Sequence, residues 1–409
     1  AVTCNWSKRM TSKNDFTINL IKALNKEAGD RIAYNLATDF DAPTIVKRWI
    51  STGSIGLDFI ISNRLNGGIP EGRIIEIYGP PAIGKSHLAL QIAKSTQKMD
   101  GLVIYIDSEC ATNVELLAQL GLDVSKRFVY IEETCTENIF TIIENTIIKT
   151  REIEKDIPIV VIWDSIAACS PKAELEGAYD KDSIGLQARA LAKGLRKITY
   201  TVGAERVTIV ALNQMKTKIG VIYGDPDTCP GGQAIPFHAS VRLKLTSGTQ
   251  IKGKDKGRTD NTKDDVIAIN VIATTVKNKV GSPRRKVNFE IHFGRGIEEH
   301  EQLFDEVQRV GQVTQDGYII SCGGASKKEL LVCDAKTGEQ IISHKFFKKN
   351  FDNVLKNSEF RPCMDILLCK AFIQHFEPLT LESEVEAEEE LAADAETART
   401  HPEPGVTGA

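Results

Sequence analysis

Nowhere in the 409 residues does an apolar run approach the roughly 18 positions that a membrane-spanning helix needs. The first stretch, AVTCNWSKRMTSKNDFTINL, also lacks the apolar core of a secretory signal. It has no initiator Met, and Met10-Thr11-Ser12 is a candidate natural start. The nine cysteines are scattered without a CxxC pair and the seven histidines do not cluster, which argues against a zinc site or a disulfide scaffold. A reducing cytosol is the expected compartment. No internal repeat is present, which sets aside stacked-repeat architectures.

Charge is distributed unevenly. Residues 381–409 hold nine acids against Arg399, a net −8, so the remaining chain is +4 within an overall −4. Such a tail is expected to be a solvated end, and it can also compete with an acidic ligand such as DNA.

Residues 15–28, DFTINLIKALNKEA, place Phe16, Leu20 or Ile21, Leu24 and Ala28 on one helical face that stops at Gly29. From Ser51 to about Phe293, apolar strand-like runs alternate with amphipathic helical ones. The strands expected are 73–78, 102–107, 127–132, 157–164 and 207–213. Continuous apolar strands separated by helices predict a mainly parallel sheet covered on both faces, an α/β core. Three further strands, 239–246, 266–278 and 285–293, come without helices between them and predict an antiparallel extension, with 246–265 as a long polar hairpin loop. Residues 298–380 read as a small C-terminal α/β module.

The run RIIEIYGPPAIGKSHLAL (73–90) stops an apolar strand at Gly79 and restarts as a helix after Gly84-Lys85-Ser86. Gly79, Pro80, Pro81, Ala82, Ile83, Gly84, Lys85 and Ser86 match G-x-x-x-x-G-K-[ST] in full. Glycine lets backbone approach phosphate oxygens, and the N–H groups of the loop and of the new helix form a positive concavity. Lys85 would reach the β/γ oxygens of ATP, and the Ser86 hydroxyl would ligate Mg²⁺. Asp164, at the carboxyl end of a buried apolar run, is the natural second acid for that metal. Glu109, in Ile106-Asp107-Ser108-Glu109, is the candidate general base, with Asp107 the better candidate for a helix cap. Asn213-Gln214 ends another strand, where an amide could meet the γ-phosphate.

These residues sit within a longer resemblance. STGSIGLD (51–58), 67–86, YIDSE (105–109), VVIWDSIAACSPKAELEG (160–177), 211–234, FHASVRL (237–243) and VKNKVGSP (276–283) together resemble the RecA family of bacterial and bacteriophage strand-exchange recombinases, in that family's order, over roughly residues 40–297. The resemblance implies a RecA-type phosphate-loop ATPase core with an N-terminal polymerisation helix. Glu109 then matches the catalytic glutamate, Asp164 the metal-binding acid, and Gln214 the residue coupling γ-phosphate to DNA. Lys277 and Lys279 match a pair that reaches the ATP of a neighbouring subunit, and Phe237 matches an interface aromatic.

The first DNA-binding loop falls on 177–185, with Ile184, Gly185, Arg189 and Arg196 in or beside it. The second falls on 215–232, with Lys216, Lys218, Ile219, Gly231 and Gly232. Arg189 and Arg196 are seven apart and so share a helical face. Lys277 and Lys279 share a strand face, where repulsion makes a purely structural role unexpected without an anion between them.

Departures from the family are visible too. The loop centre Pro80-Pro81-Ala82-Ile83 is stiffer than usual, and Asn113 and Leu116 stand where the family places an acid and a tyrosine near adenine. The implied activity is a DNA-dependent ATPase that forms a homo-oligomeric helical filament on single-stranded DNA and pairs it with duplex DNA, without a membrane. A hexameric helicase motor and a catalytically idle filament mediator are the alternatives. The intact Lys85, Glu109 and Asp164 argue against the second.

Overall fold

The computed structural model describes residues 16–177, 185–217, 227–253, 265–325 and 327–375. Residues 1–15, Ile184, Lys218, Ile219, the centre of the insert and the acidic tail therefore lie outside the described residues.

Nine strands build the main sheet. In chain order they are β1 (Ile74–Gly79), β2 (Leu102–Asp107), β3 (Phe128–Glu132), β4 (Ile159–Asp164), β5 (Val207–Gln214), β6 (Val241–Gly253), β7 (Asp265–Asn278), β8 (Lys286–His292) and β9 (Gly296–Glu298). Their order across the sheet is β9-β8-β7-β6-β1-β5-β4-β2-β3. Pairing is parallel from β6 through β3 and antiparallel from β6 to β9.

The inner parallel strands β1, β2, β4 and β5 alternate between two cores rather than between core and water, whereas the edge strand β3, expected to be covered on both faces, buries no residue because nothing pairs beyond it. Ile75, Ile77, Val103, Val160, Ile162, Val210 and Leu212 face the helices Ile55–Ser62 and Lys85–Lys98. Ile74, Ile104, Ile106, Val161, Trp163, Ile209 and Ala211 face the helices Thr136–Ile153 and Leu186–Ala204. Burial on both faces is why these runs are continuously apolar in sequence.

The antiparallel extension is longer than its apolar pattern indicates. The insert 246–265, expected as a loop, is strand as far as Gly253 and again from Asp265. Its polar residues pair across the ribbon, Gln250 with Ile269 and Lys252 with Val266, with register shifts between Ser247 and Gln250 and between Ile251 and Lys252. Ala268 to Val271 also pair with β8, so only Lys252–Gly253 with Asp265–Val266 stand as a two-stranded end, and backbone hydrogen bonding carries the ladder of β6 on where its own residues are polar.

After β9, the helix His300–Val310 leads to a four-stranded antiparallel sheet (Gln312–Gln315, Tyr318–Gly323, Lys328–Asp334, Gln340–Phe346) and the helices Phe351–Lys356 and Arg361–Phe372. This segment shares one continuous core with the first face of the main sheet. Phe372 stacks on Phe59 at 5.3 Å, and the Arg285 guanidinium donates to the Phe372 carbonyl. The N-terminal helix is the opposite case. Phe16–Ala28 buries no residue, and Phe16, Ile18, Leu20 and Leu24 are exposed.

Candidate nucleotide site at the carboxyl edge of the sheet

Four adjacent parallel strands end at the same edge. The register pairs Gly79 at the end of β1 with Gln214 at the end of β5, and Asp164 at the end of β4 with Asp107 at the end of β2. The carboxyl edge of a parallel sheet is where open α/β folds hold ligands, because loops and helix N-termini converge there. A cavity of about 420 Å³ opens at this edge, lined among others by Lys85, Ser86, Glu109, Asp164 and Gln214.

The phosphate loop wraps one end of it. Gly84 has φ +91°, and a Cβ there would lie 2.3 Å from Ile291 Cδ1. At Gly79 a Cβ would lie 2.4 Å from the Leu245 carbonyl oxygen. The protein's own backbone and roof therefore already demand both glycines, in addition to any need of a phosphate. Ala82 takes φ +56°, which turns the loop despite its Cβ. Helix Lys85–Lys98 starts at Gly84 with no side-chain cap, so its first N–H groups remain available to an anion. Lys85 Nζ donates to the carbonyls of Gly79 at 3.2 Å and Pro80 at 2.7 Å. Burial pushes this ammonium below its ordinary range, opposed by Asp164 and Glu109.

The carboxylates differ in surroundings. Asp164 accepts from Tyr105 Oη at 2.7 Å and from the Ser86 hydroxyl. Burial raises its proton affinity, and these two hydrogen bonds work against the rise. A hydroxyl and a desolvated carboxylate beside a phosphate cradle are the hard oxygen donors that Mg²⁺ takes, so Ser86 and Asp164 fit that ion. The Asp164–Ser165 peptide bond is cis. Glu109 is exposed and accepts from Ser165 Oγ at 2.5 Å and from Gln214 Nε2 at 3.3 Å.

Asp107 is not a helix cap. Asn113 caps helix Val114–Gln119 by accepting from the Glu115 N–H at 2.7 Å. Asp107 instead accepts from the N–H groups of Glu109, Ala111 and Thr112 at 3.0, 3.1 and 2.9 Å, and so holds the loop that carries Glu109. Against the upward pull of burial, hydrogen bonds from Thr112, Tyr130 and the backbone keep its carboxyl below the usual range.

Side chains that the sequence did not single out as site residues complete the cavity. Ser165, His87, Ile269, Ile291 and Phe293 line it, the last three from the antiparallel extension. Phe293 is half exposed and offers an aromatic face near the phosphate loop. Asn113 and Leu116, by contrast, do not line this cavity. No local pattern reveals that Phe293 lines the cavity, because this depends on β8 folding over the loop.

The expected DNA residues are dispersed around a second helix. Arg189 and Arg196 are exposed on Leu186–Ala204, which starts at Gly185 (φ +72°). Gly231 and Gly232 turn with positive φ against this helix, where a Cβ on Gly231 would meet Leu191 Cδ1 at 2.5 Å. Lys216 is exposed just past β5. Buried Asn213 joins this region to the sheet by donating to Glu76 at 3.1 Å and to the Pro230 carbonyl at 3.2 Å.

Lys277 and Lys279 lie at and just beyond the end of β7, near Arg196 and His238. The expectation that Lys277 has no structural role needs correction. Its Nζ donates to the carbonyls of Pro236 at 2.6 Å and Phe237 at 3.1 Å, at the end of the short helix Ala234–His238. Carbonyl oxygens at a helix end carry partial negative charge and hold the ammonium without any bound anion. Burial, then Lys279 and Arg242, lower its proton affinity. Lys279 and Phe237 are both exposed.

Comparison with known proteins places the chain in a family. The family described as the RecA N-terminal domain matches residues 19–298. Protein RecA of Geobacter sulfurreducens is 35% identical over 316 residues, which cover 77% of this chain and 87% of that protein. Protein RecA of Chlorobium limicola is 36% identical over 304 residues, 74% of this chain and 81% of that protein. Protein RecA of Thermus aquaticus is 35% identical over 306 residues, 75% and 84% respectively.

Proposed function

The chain belongs to the RecA family, and from that premise we propose how its residues carry out ATP-dependent homologous pairing and strand exchange. It is a recombination and repair protein of the RecA type, and membership implies DNA-dependent ATPase activity; a helicase is not favoured. The observation that carries the finer reading is the convergence of Lys85, Ser86, Asp164, Glu109 and Gln214 on one cavity at the carboxyl edge of the sheet.

In this reading the loop 79–86 holds the phosphates of ATP. Lys85 leaves its two carbonyl partners for the β/γ oxygens, and the N–H groups at the start of helix Lys85–Lys98 complete the cradle. Ser86 and Asp164 hold Mg²⁺, which neutralises charge on the phosphates when bound. Glu109, steadied by Ser165, orients a water and takes its proton. Gln214, hydrogen-bonded to Glu109, reports the γ-phosphate to DNA in this reading. Phe293 supplies the aromatic face for the base that Asn113 and Leu116 do not.

Residues 1–40 then serve polymerisation, 41–297 form the ATPase and DNA-binding core, and 298–380 form the small C-terminal domain, with the acidic tail 381–409 beyond. The uncovered apolar face of Phe16–Ala28 and the exposed Phe237 favour a homo-oligomeric filament, since large apolar groups left in water mark interaction surfaces. In this reading Arg189, Arg196 and Lys216, all exposed, meet DNA phosphates. Among the described residues no helix is long and apolar enough to cross a membrane.

Electron microscopy with ATP and single-stranded DNA tests the assembly. Helical filaments are expected, and closed rings would reject it. Lys277→Ala combined with Lys279→Ala tests the shared site. ATP binding by the monomer should survive while DNA-stimulated hydrolysis falls by about 10³-fold, as for a charge supplied in trans. Mixing with Lys85→Ala should restore part of the activity, because some junctions then pair an intact loop with intact lysines. Since Lys277 also holds the Pro236 and Phe237 carbonyls, Lys279→Ala alone should show the same rescue with that anchor left in place. Full hydrolysis by the double variant, or no rescue in mixtures shown to co-assemble, would count against a shared site.

A further inference from the structure

Tyr105 on β2 and Tyr130 on β3 are register partners, with rings 6.3 Å apart and 15° from parallel. Each phenol reaches across one strand and two residues forward. Tyr105 pairs in register with Ile162, and its Oη donates to Asp164 Oδ2 at 2.7 Å. Tyr130 pairs with Tyr105, and its Oη donates to Asp107 Oδ2 at 2.9 Å. The same step, used twice, brings a phenol to each of two carboxylates at the nucleotide edge.

Packing alone does not account for this. Tyr105 is 2% exposed within an apolar core, where a phenylalanine ring would fill the same space. A buried hydroxyl needs an acceptor, and an ionised carboxylate is acceptor-only, so the pair satisfies both groups and fixes the carboxylate's rotation. Partners behind a metal-binding carboxylate set its orientation and its affinity for the ion. Asp107 has the corresponding task for Glu109, since its two oxygens hold the N–H groups of the 109–112 loop.

We propose that Tyr105 and Tyr130 are a cross-strand pair of positioning residues: Tyr105 sets the Asp164 carboxylate for the divalent cation, and Tyr130, through Asp107, sets the loop that presents Glu109. The proposal rests on the roles of Asp164 and Glu109 in the function proposed for the site. It predicts two separable effects from two deletions of a single oxygen.

The test is a Mg²⁺ titration of fluorescent ATP-analogue binding, repeated with Mn²⁺ followed by electron paramagnetic resonance. Tyr105→Phe should raise the metal concentration at half-saturation about tenfold, the lower end of the range for such partners. Tyr130→Phe should leave that midpoint in place, lower kcat at saturating metal, and speed amide exchange in residues 108–112. Tyr105→Met, an apolar filler without a hydroxyl, gives a second reading if phenylalanine disturbs the stack. A wild-type midpoint in both Tyr105 variants overturns its role, and wild-type exchange in Tyr130→Phe overturns the other. Asp164→Asn separates the two levels. If it too titrates like wild type, the metal role of Asp164 fails. If it shifts while the Tyr105 variants do not, only the positioning role of Tyr105 falls.

Discussion

Lys85→Ala should lose stable ATP binding while remaining folded. In the described protomer the ammonium donates to the Gly79 and Pro80 carbonyls, both in the loop itself, and lies in neither core, so truncation leaves the cores on either side of the sheet untouched. With nucleotide present, the same group would make charge-assisted hydrogen bonds to phosphate, worth about 1.5–3 kcal/mol each. Losing two of them corresponds to a drop of roughly two to four orders of magnitude in affinity, at 1.4 kcal/mol per tenfold. The partial burial of Lys85 strengthens the expectation, because a positive charge already desolvated by the fold has little further desolvation to undergo on binding. Fluorescence anisotropy with a labelled ATP analogue reads the change, and circular dichroism checks the fold. Affinity equal to wild type would remove the phosphate-loop assignment.

Glu109→Gln should keep nucleotide affinity and lose turnover. The amide is isosteric and retains an oxygen that can accept from Ser165 and Gln214, so the local hydrogen bonds survive. It cannot accept a proton from an attacking water. Loss of a general base costs about 10²–10⁴-fold in rate. The filament on single-stranded DNA should then persist, since its release depends on hydrolysis. Phosphate release under single-turnover conditions and the dissociation rate from labelled DNA give the two readings. A normal hydrolysis rate would move the base elsewhere, and Asp107 would not be its substitute. That carboxylate is already committed to three backbone N–H groups and the Tyr130 hydroxyl.

Local pattern determined a good deal by itself. The strand runs at 74–79, 102–107, 159–164 and 207–214 are apolar on both faces because both faces are covered, so their places and their parallel pairing follow from composition. The phosphate loop is equally local: eight consecutive residues, a strand before and a helix after, with glycines where backbone geometry allows little else. The apolar stripe of Phe16–Ala28 is legible too, although its sequence cannot show that this chain leaves it uncovered.

Tertiary structure alone decided which side chains meet. Strand order departs from chain order, with β1 beside β5 and β2 beside β4, so residues 56 and 105 positions from Glu109 become its partners. The roof over the loop comes from Ile269, Ile291 and Phe293, nearly 200 residues later. The ribbon at 247–253 escapes pattern analysis because its ladder needs only backbone, and backbone leaves no apolar signature. Lys277 is misleading in sequence for a related reason: two like charges on one strand face repel only until something opposes them, and the opposing carbonyls of Pro236 and Phe237 arrive through a turn of the chain. Tyr105 and Tyr130 read as ordinary strand aromatics until the register brings each hydroxyl to an acid one strand over and two residues on. Periodicity fixes the face a residue presents; register and strand order, set by how the whole sheet packs, choose its partner.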